Sequence, residues 1–168
     1  MERTSERRGR DPLAPPSMKI RPATFDDREE LLDIWLRSVR ATHTFLTEED
    51  IQRMLPLVRD RALRHLELWV LIAGEETLAG FMGLDGHKLE MLFLGPEFLR
   101  QGGGTLLVQH ARRLKGSLRV DVNEENSAAR QFYQAMSFVV HGRSPLDATG
   151  KPHPLLHLGE SPLSEPEG

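Results

Sequence analysis

The chain has 168 residues, a formal net charge of −3, an isoelectric point near 6.2 and no cysteine. That length suits one domain burying roughly two-thirds of its unfolded surface, and the mild acidity gives no reason to expect nucleic acid or an anionic membrane as partner. Disulfides, thiolate metal ligands and a thiol nucleophile are excluded, no apolar run nears the ~20 residues of a membrane span, and the N-terminus lacks a signal peptide's apolar core, so a cytoplasmic protein is expected.

Residues 1–17 are rich in Arg, Glu and Pro and nearly devoid of apolar side chains, which predicts a disordered tail, with Met18 as an alternative start. One domain is expected over 18–160, followed by a polar, Pro-rich frayed tail over 161–168. Lys19-Ile20-Arg21-Pro22-Ala23 reads as a first strand, and Pro22 suits a sheet edge. Thr24 and Asp27 form a capping-box-like start to a helix reaching about Arg40, with Leu31, Ile34, Trp35 and Val39 on its apolar face. A connector from Ala41 to Leu46 leads to a second helix, capped by Thr47 and Asp50 and kinked at Pro56.

The apolar runs 68–73 and 77–84 flank Gly74-Glu75-Glu76 and predict a hairpin. A turn at Asp85-Gly86-His87 then leads into a strand over 88–94. Gly95-Pro96 ends that strand, and Gly102-Gly103-Gly104 precedes a helical pattern over 105–115. Each Gly inside a helix costs about 1 kcal/mol relative to Ala, so these glycines belong to a loop and first turn, where bare backbone is useful. Unobstructed N–H groups at a helix N-terminus suit a phosphate or pyrophosphate. A triphosphatase P-loop is excluded because Thr105-Leu106, not Lys-Ser/Thr, follows Gly104; a dinucleotide fingerprint is excluded because its third glycine position is Leu107.

Gly116 stops this helix, a strand covers 118–122, Asn126 or Ser127 caps a helix over 128–136, and two strands at 138–141 and 155–158 flank a loop over 144–154. The order β-α-α-β-β-β-α-β-α-β-β predicts an α/β (α+β mixed) fold, a mixed sheet of about seven strands with helices on both faces.

Two stretches carry a family resemblance. Leu99-Arg100-Gln101-Gly102-Gly103-Gly104, after a strand and Pro96, resembles motif A of the GNAT superfamily of CoA-dependent N-acyltransferases, Gln/Arg-x-x-Gly-x-Gly/Ala, with Leu99 in place of the leading Gln/Arg. The segment from Val120 to Phe138, with Asn126-Ser127-Ala128-Ala129-Arg130-Gln131-Phe132-Tyr133, resembles motif B, Ser137 replacing its usual Gly. The resemblance covers nearly all of 18–160, and the segments 37–43, 142–144 and 150–156 further resemble a small bacterial branch of the family.

The resemblance implies a twisted central sheet splayed between its fourth and fifth strands, with acetyl-CoA as cosubstrate. Leu92, Phe93 and Leu94 would offer backbone groups to the pantetheine arm. Leu99, Arg100, Gln101, Gly102, Gly103, Gly104 and Thr105 would form the pyrophosphate loop, and Asn126 would contact the cofactor. Tyr133, the only tyrosine in the chain, would stand near the thioester sulfur. A phenol beside a departing thiolate can donate a hydrogen bond or a proton; the plainer reading, an apolar helix face, is preferred for Phe132. The second partner would be a primary amine on a small molecule or protein. Deprotonating a lysine-like amine at pH 7 costs about 4.6 kcal/mol, which a general base or a depressed amine pKa must offset. Glu90 and His43 are the candidates. Strand alternation sets Glu90 with Lys88, Leu92 and Leu94 on one face, so a surface carboxylate is an equal reading; His43 could equally cap a helix. His87, His141, His153 and His157 are too scattered for a metal site. The leading expectation is an N-acetyltransferase working by direct attack, as monomer or homodimer, and the competing one is a non-catalytic acyl-CoA-binding or sensor protein on the same fold.

Overall fold

The computed structural model describes residues 17–160; the tails expected over 1–17 and 161–168 lie outside them, Ser17 excepted. Seven strands form one sheet in the order β1-β2-β3-β4-β5-β7-β6, and every neighbouring pair is antiparallel except β4 and β5. β1 (Met18–Pro22) is an edge strand, where the missing N–H of Pro22 costs no ladder bond. The hairpin β2 (Glu67–Ala73) and β3 (Thr77–Asp85) continues into β4 (Lys88–Leu94). β5 (Arg119–Asn123), β7 (Leu155–Glu160) and β6 (Phe138–Ser144) complete the sheet.

Thr24 and Asp27 close their capping box over a short 3-10 turn, with α1 (Arg28–Thr42) following directly. Thr47 and Asp50 cap α2 (Glu48–Leu57) reciprocally at 3.0 Å each. After Pro56 the helix widens into a π-helical turn at Val58–Ala62 and ends at His65, so the expected disturbance is a change of hydrogen-bond pattern. α3 (Gly103–Lys115) begins two residues earlier than its sequence pattern indicates, because Gly103 and Gly104 are part of its first turn. Asn126, rather than Ser127, caps α4 (Ser127–Ala135), accepting from the Ala129 N–H at 3.0 Å.

The helices sort onto two faces. Leu31, Ile34, Trp35 and Val39 of α1, with Ile51 of α2, pack on Val70, Ile72, Phe81 and Met91. Leu107, Val108 and Ala111 of α3, with Tyr133 of α4, pack on Leu71, Met82, Leu89, Val120 and Val122 from the other side. The α1–α2 core includes no residue of β5, β6 or β7, so that face of the second half-sheet is left for polar groups. Among the described residues no helix is long and apolar enough to cross a membrane.

The structure corrects the alternation expected along β4. Met91 pairs with Gly83 and Leu89 with Leu84, so Glu90 has no partner on β3 and forms a bulge. Leu92 and Leu94 therefore share the α3–α4 face with Leu89, whereas Met91 and Phe93 turn to the α1–α2 face.

Candidate active site

β4 and β5 are joined at only two positions, Lys88 with Arg119 and Leu89 with Val120. Beyond them the strands diverge, so Glu90 on one strand and Asp121 on the other are the first residues of two walls. This seam leaves the edges of Leu92, Phe93 and Leu94 that face β5 without ladder partners, as a linear polar ligand would require.

The glycine loop lies at the open end of β4. Gly102 has φ 88°, a left-handed conformation that side chains disfavour, and caps α3 through the bond from the Leu106 N–H to its carbonyl at 3.1 Å. A Cβ on Gly103 would come within 2.6 Å of Leu71 Cδ2, and one on Gly104 within 3.2 Å of Phe132 Cζ. These two glycines bring the first turn of α3 against β2 and α4. The first N–H groups of a helix have no intrahelical partner, so those at Gly102 to Thr105 are open to an acceptor from outside the helix. Arg100 also takes a left-handed φ, 63°, in the exposed part of the loop.

Leu99, standing where the motif has Gln or Arg, is 38% exposed and holds nothing by side-chain hydrogen bonding. That task falls to Gln101, whose Nε2 donates to the Glu97 carbonyl at 3.1 Å while its Oε1 is buried without a partner among the described residues. The Glu97 carboxylate accepts from Arg37 of α1 at 2.9 Å, tying the loop to the opposite face. The glycine-opened first turn of α3 fits a pyrophosphate-bearing ligand, whose oxygens accept from main-chain N–H groups; the orphaned Gln101 oxygen is itself an acceptor and calls for a donor instead.

Tyr133 is buried in the α3–α4 core, edge-on to Phe132 and Phe138 at ring-centroid separations of 5.0 and 5.4 Å. Burial raises its phenol above the ordinary value, so the group is held protonated as a donor. Ser137, in place of the motif's glycine, adopts φ 73°. The backbone there needs the conformation that glycine supplies at no steric cost.

The opposite face of the seam is built from side chains. His43 ends α1, and burial pushes its imidazole down to about 4, so it is neutral near pH 7. Thr42 Oγ1 gives its proton to the Ser38 carbonyl at 2.8 Å and so accepts from His43 Nδ1 at 2.9 Å. The assignment leaves His43 Nε2 as an acceptor, 3.4 Å from Asn126 Nδ2. Asn126 thereby links the cap of α4 to α1. Phe45 stacks between His43 and His153, and His153 pairs with Glu125 at 3.0 Å. Glu90, at the apex, is bound to Lys88 Nζ at 2.8 Å, and the same ammonium reaches Asp121 at 3.0 Å. Burial opposes the Lys88 charge, but the two carboxylates outweigh it and hold the ammonium above its ordinary value.

The structure thus divides the residues expected from sequence: the glycine loop, Leu92, Leu94 and Tyr133 lie on the α3 side, Phe93 and His43 on the α1–α2 side, Glu90 pairs with Lys88 at the joined end of β4, and Asn126 bonds to His43. Sequence reasoning missed the grouping of Asp121, His157 and Ser144 beside Glu90. The signal available was the polar alternation of Arg119, Asp121 and Asn123 between Val120 and Val122. No cluster of three metal-ligating side chains occurs among the described residues.

A splayed sheet with a glycine-opened helix at its seam defines a CoA-dependent acyltransferase class, and comparison with known proteins agrees. The acetyltransferase (GNAT) domain family matches residues 36–153. The chain belongs to the GNAT acetyltransferase family and is an acyltransferase. Peptidyl-lysine N-acetyltransferase YjaB of Salmonella typhimurium is 42% identical over 141 residues, covering 84% of this chain and 97% of that protein. The solution structure of apo YjaB from Escherichia coli superposes with a TM-score of 0.79 at 40% identity, covering 85% of this chain and 97% of that one. The PaiA N-acetyltransferase of Thermoplasma acidophilum, solved in complex with coenzyme A, shares the fold at a TM-score of 0.71 and 21% identity, covering 86% of this chain and 99% of that chain.

Proposed function

We propose that the protein transfers the acetyl group of acetyl-CoA to the side-chain amine of a lysine in a protein or peptide, by direct attack and in the cytoplasm. The observation that carries this reading is the seam itself, with the glycine-opened N-terminus of α3 on one side and the ion-paired Glu90, Lys88 and Asp121 at its joined end. Its likeness over nearly full length to a peptidyl-lysine N-acetyltransferase supports the choice of acceptor.

In this reading the N–H groups of Gly102 to Thr105 hold the pyrophosphate, with Leu99, Arg100 and Gln101 shaping the loop. The β4 edge at Leu92, Phe93 and Leu94 aligns the pantetheine arm, and Asn126 borders it. Tyr133 donates its hydroxyl hydrogen bond to the departing thiolate. The amine enters from the α1–α2 face, where Glu90 meets its charge at the apex and His43, neutral with its Nε2 accepting from Asn126, faces it from the far wall. The test is release of CoA thiol together with mass-spectrometric detection of acetyl-lysine, using acetyl-CoA and a library of lysine peptides. Transfer is expected only with both substrates present. Tight acetyl-CoA binding with no transfer to any peptide or small amine would overturn the enzyme reading in favour of an acyl-CoA-binding protein.

A further inference from the structure

The chain holds four lysines, Lys19, Lys88, Lys115 and Lys151, and one of them stands in the seam. Lys88 belongs to the joined part of β4, and its Nζ lies 2.8 Å from Glu90 and 3.0 Å from Asp121, the first residues of the two walls. The ammonium therefore spans the closed end of the seam. Its side of the sheet follows from β5. Val120 and Val122 turn into the α3–α4 core, so Asp121 between them points to the opposite face, and the ammonium it holds lies on that α1–α2 side. The α1–α2 core takes in no residue of β5, β6 or β7, which leaves this face open. The Lys88 side chain keeps 32% of its surface accessible there and borders a surface cavity of about 400 Å³.

The other lysines stand elsewhere. Lys19 is on the edge strand β1, with β2 and β3 between it and β4. Lys115 ends α3 and is held by Glu67 of β2 at 2.7 Å. Lys151 lies in the loop joining β6 to β7.

A Cβ on Gly103 would lie 3.4 Å from Leu94 Cδ2, so the first turn of α3 sits at the wide end of the seam, where β4 finishes. A cofactor with its pyrophosphate on that turn and its arm along Leu94, Phe93 and Leu92 runs back toward Glu90, about 13 Å from Leu94 at the rise of a strand. The thioester at the tip of the arm is delivered to the end of the seam that Lys88 closes. Resting on the reading of the protein as an acetyl-CoA-dependent lysine acetyltransferase, we propose that Lys88 is an acceptor within the chain, acetylated in cis by the protein's own bound acetyl-CoA.

The ammonium passes one proton to the Glu90 carboxylate it already touches, and Glu90 releases it to water. The lone pair of the neutral nitrogen attacks the thioester carbon. The C–N bond forms as the C–S bond breaks, and the nitrogen's surplus proton ends on the departing CoA sulfur. The product amide is neutral, so the charged bridge is lost and Glu90 and Asp121 face one another unscreened across the closed end. Modification of Lys88 thus changes the charge that an incoming acceptor meets. The groups facing the ammonium are Asp85 opposite it on β3, Glu90 on β4, Arg119 and Asp121 on β5, His141 on β6 and His157 on β7. Burial opposes its charge, but the bonds to Glu90 and Asp121 prevail and keep it protonated, so the adduct forms slowly at neutral pH and faster as pH rises.

The experiment incubates the full chain with acetyl-CoA and no peptide, and follows each lysine by intact mass and peptide mapping. Lys88 should be acetylated at least ~10-fold faster than any other lysine, a small part of what intramolecular placement supplies. The fractional rate should saturate with acetyl-CoA and stay constant as protein concentration changes. Acetyl phosphate, which lacks the CoA handle, should show no preference for Lys88. The adduct is limited to one acetyl group per chain, which separates it from turnover on a peptide. Lys88→Arg keeps the cation and should abolish the adduct without moving it to another lysine; mapping the parent needs no variant, so the proposal is tested even if Lys88→Arg fails to fold. Equal labelling of the four lysines, the same preference with acetyl phosphate, or a fractional rate that grows with protein concentration would each overturn self-acetylation in cis. A parent that acetylates peptides and never Lys88 would overturn this proposal alone, whereas one that acetylates neither would overturn the acetyltransferase reading with it.

Discussion

In the proposed reading the recognition groups on the α3 side of the seam belong to the main chain: the N–H groups of Gly102 to Thr105 and the unpaired edge of β4. On the α1–α2 side they are side chains, contributed by α1, β4, β5 and the loop before α4. The first kind of site needs only a strand, a tight loop and a helix in sequence, with small residues where backbone must come close. The second kind needs strands far apart in the chain to settle into register before any chemistry exists. Acetyl donors share one cofactor handle and acceptors differ, so a fixed backbone cradle facing a wall of exchangeable side chains lets the acceptor vary without disturbing the donor site.

Substitutions at four positions break or sharpen this contrast. The largest effect is expected on the side-chain face. His43 is neutral in the folded protein down to pH of about 4, whereas the unfolded chain takes up that proton below ~6.5. The unfolded state therefore binds more protons between those values, and stability is full above ~6.5 and falls as pH drops towards 4. The loss over that window is roughly 3 kcal/mol, and urea unfolding of His43→Gln should show it removed.

Tyr133 comes next, the one side chain proposed to act chemically on the main-chain side. Tyr133→Phe keeps the ring, so acetyl-CoA affinity should hold while kcat falls ~10²-fold; unchanged turnover would leave the thiolate to backbone donors alone. Gly102 tests the cradle directly. Nothing lies within 4 Å of a Cβ there, so Gly102→Ala adds only left-handed strain, whereas Gly102→Asp adds charge beside the pyrophosphate. Calorimetry should find CoA bound about tenfold more weakly by the Asp variant than by the Ala variant, or ~1.4 kcal/mol. Equal affinities would move the anion elsewhere. Gly104 is unsuited to this comparison, because any side chain there meets Phe132. The smallest effect is a gain: Ser137→Gly relieves the left-handed φ of 73° and should raise the unfolding free energy by about 1 kcal/mol.

The same contrast explains what could be read from the sequence. Every strand and the four longer α-helices were legible in order, and so was the glycine turn before α3, since glycines, caps and apolar periods are local signals. Thr24 with Asp27 and Thr47 with Asp50 cap as their spacing dictates. Boundaries set by partners were not. β6 runs on to Ser144 and β7 to Glu160 because each has the other to pair with, across a bulge at His141. The bulge at Glu90, which reassigns Leu92 and Leu94 to the other face, arises from a register slip against β3 that no local pattern announces. Gln101 takes over the loop contact that Leu99 cannot make, which depends on where the Glu97 carbonyl points. His157 and Asp121 meet across 36 residues through strand register alone.

With two ladder pairs joining β4 to β5, the sheet is nearly two sheets, and hydrogen bonding does little to fasten its halves. The fastener is α3. Its Leu107, Val108 and Ala111 lie in one core with residues of β3 and β4 on one side of the split and of β5 and β7 on the other. Arg112 adds a rivet, holding Glu160 at the end of β7 at 2.9 Å and the Met136 carbonyl behind α4. The helix proposed to present its first turn to the cofactor is thus the beam that sets the width of the slot, so on that reading the grip on the pyrophosphate and the gauge of the opening belong to one part.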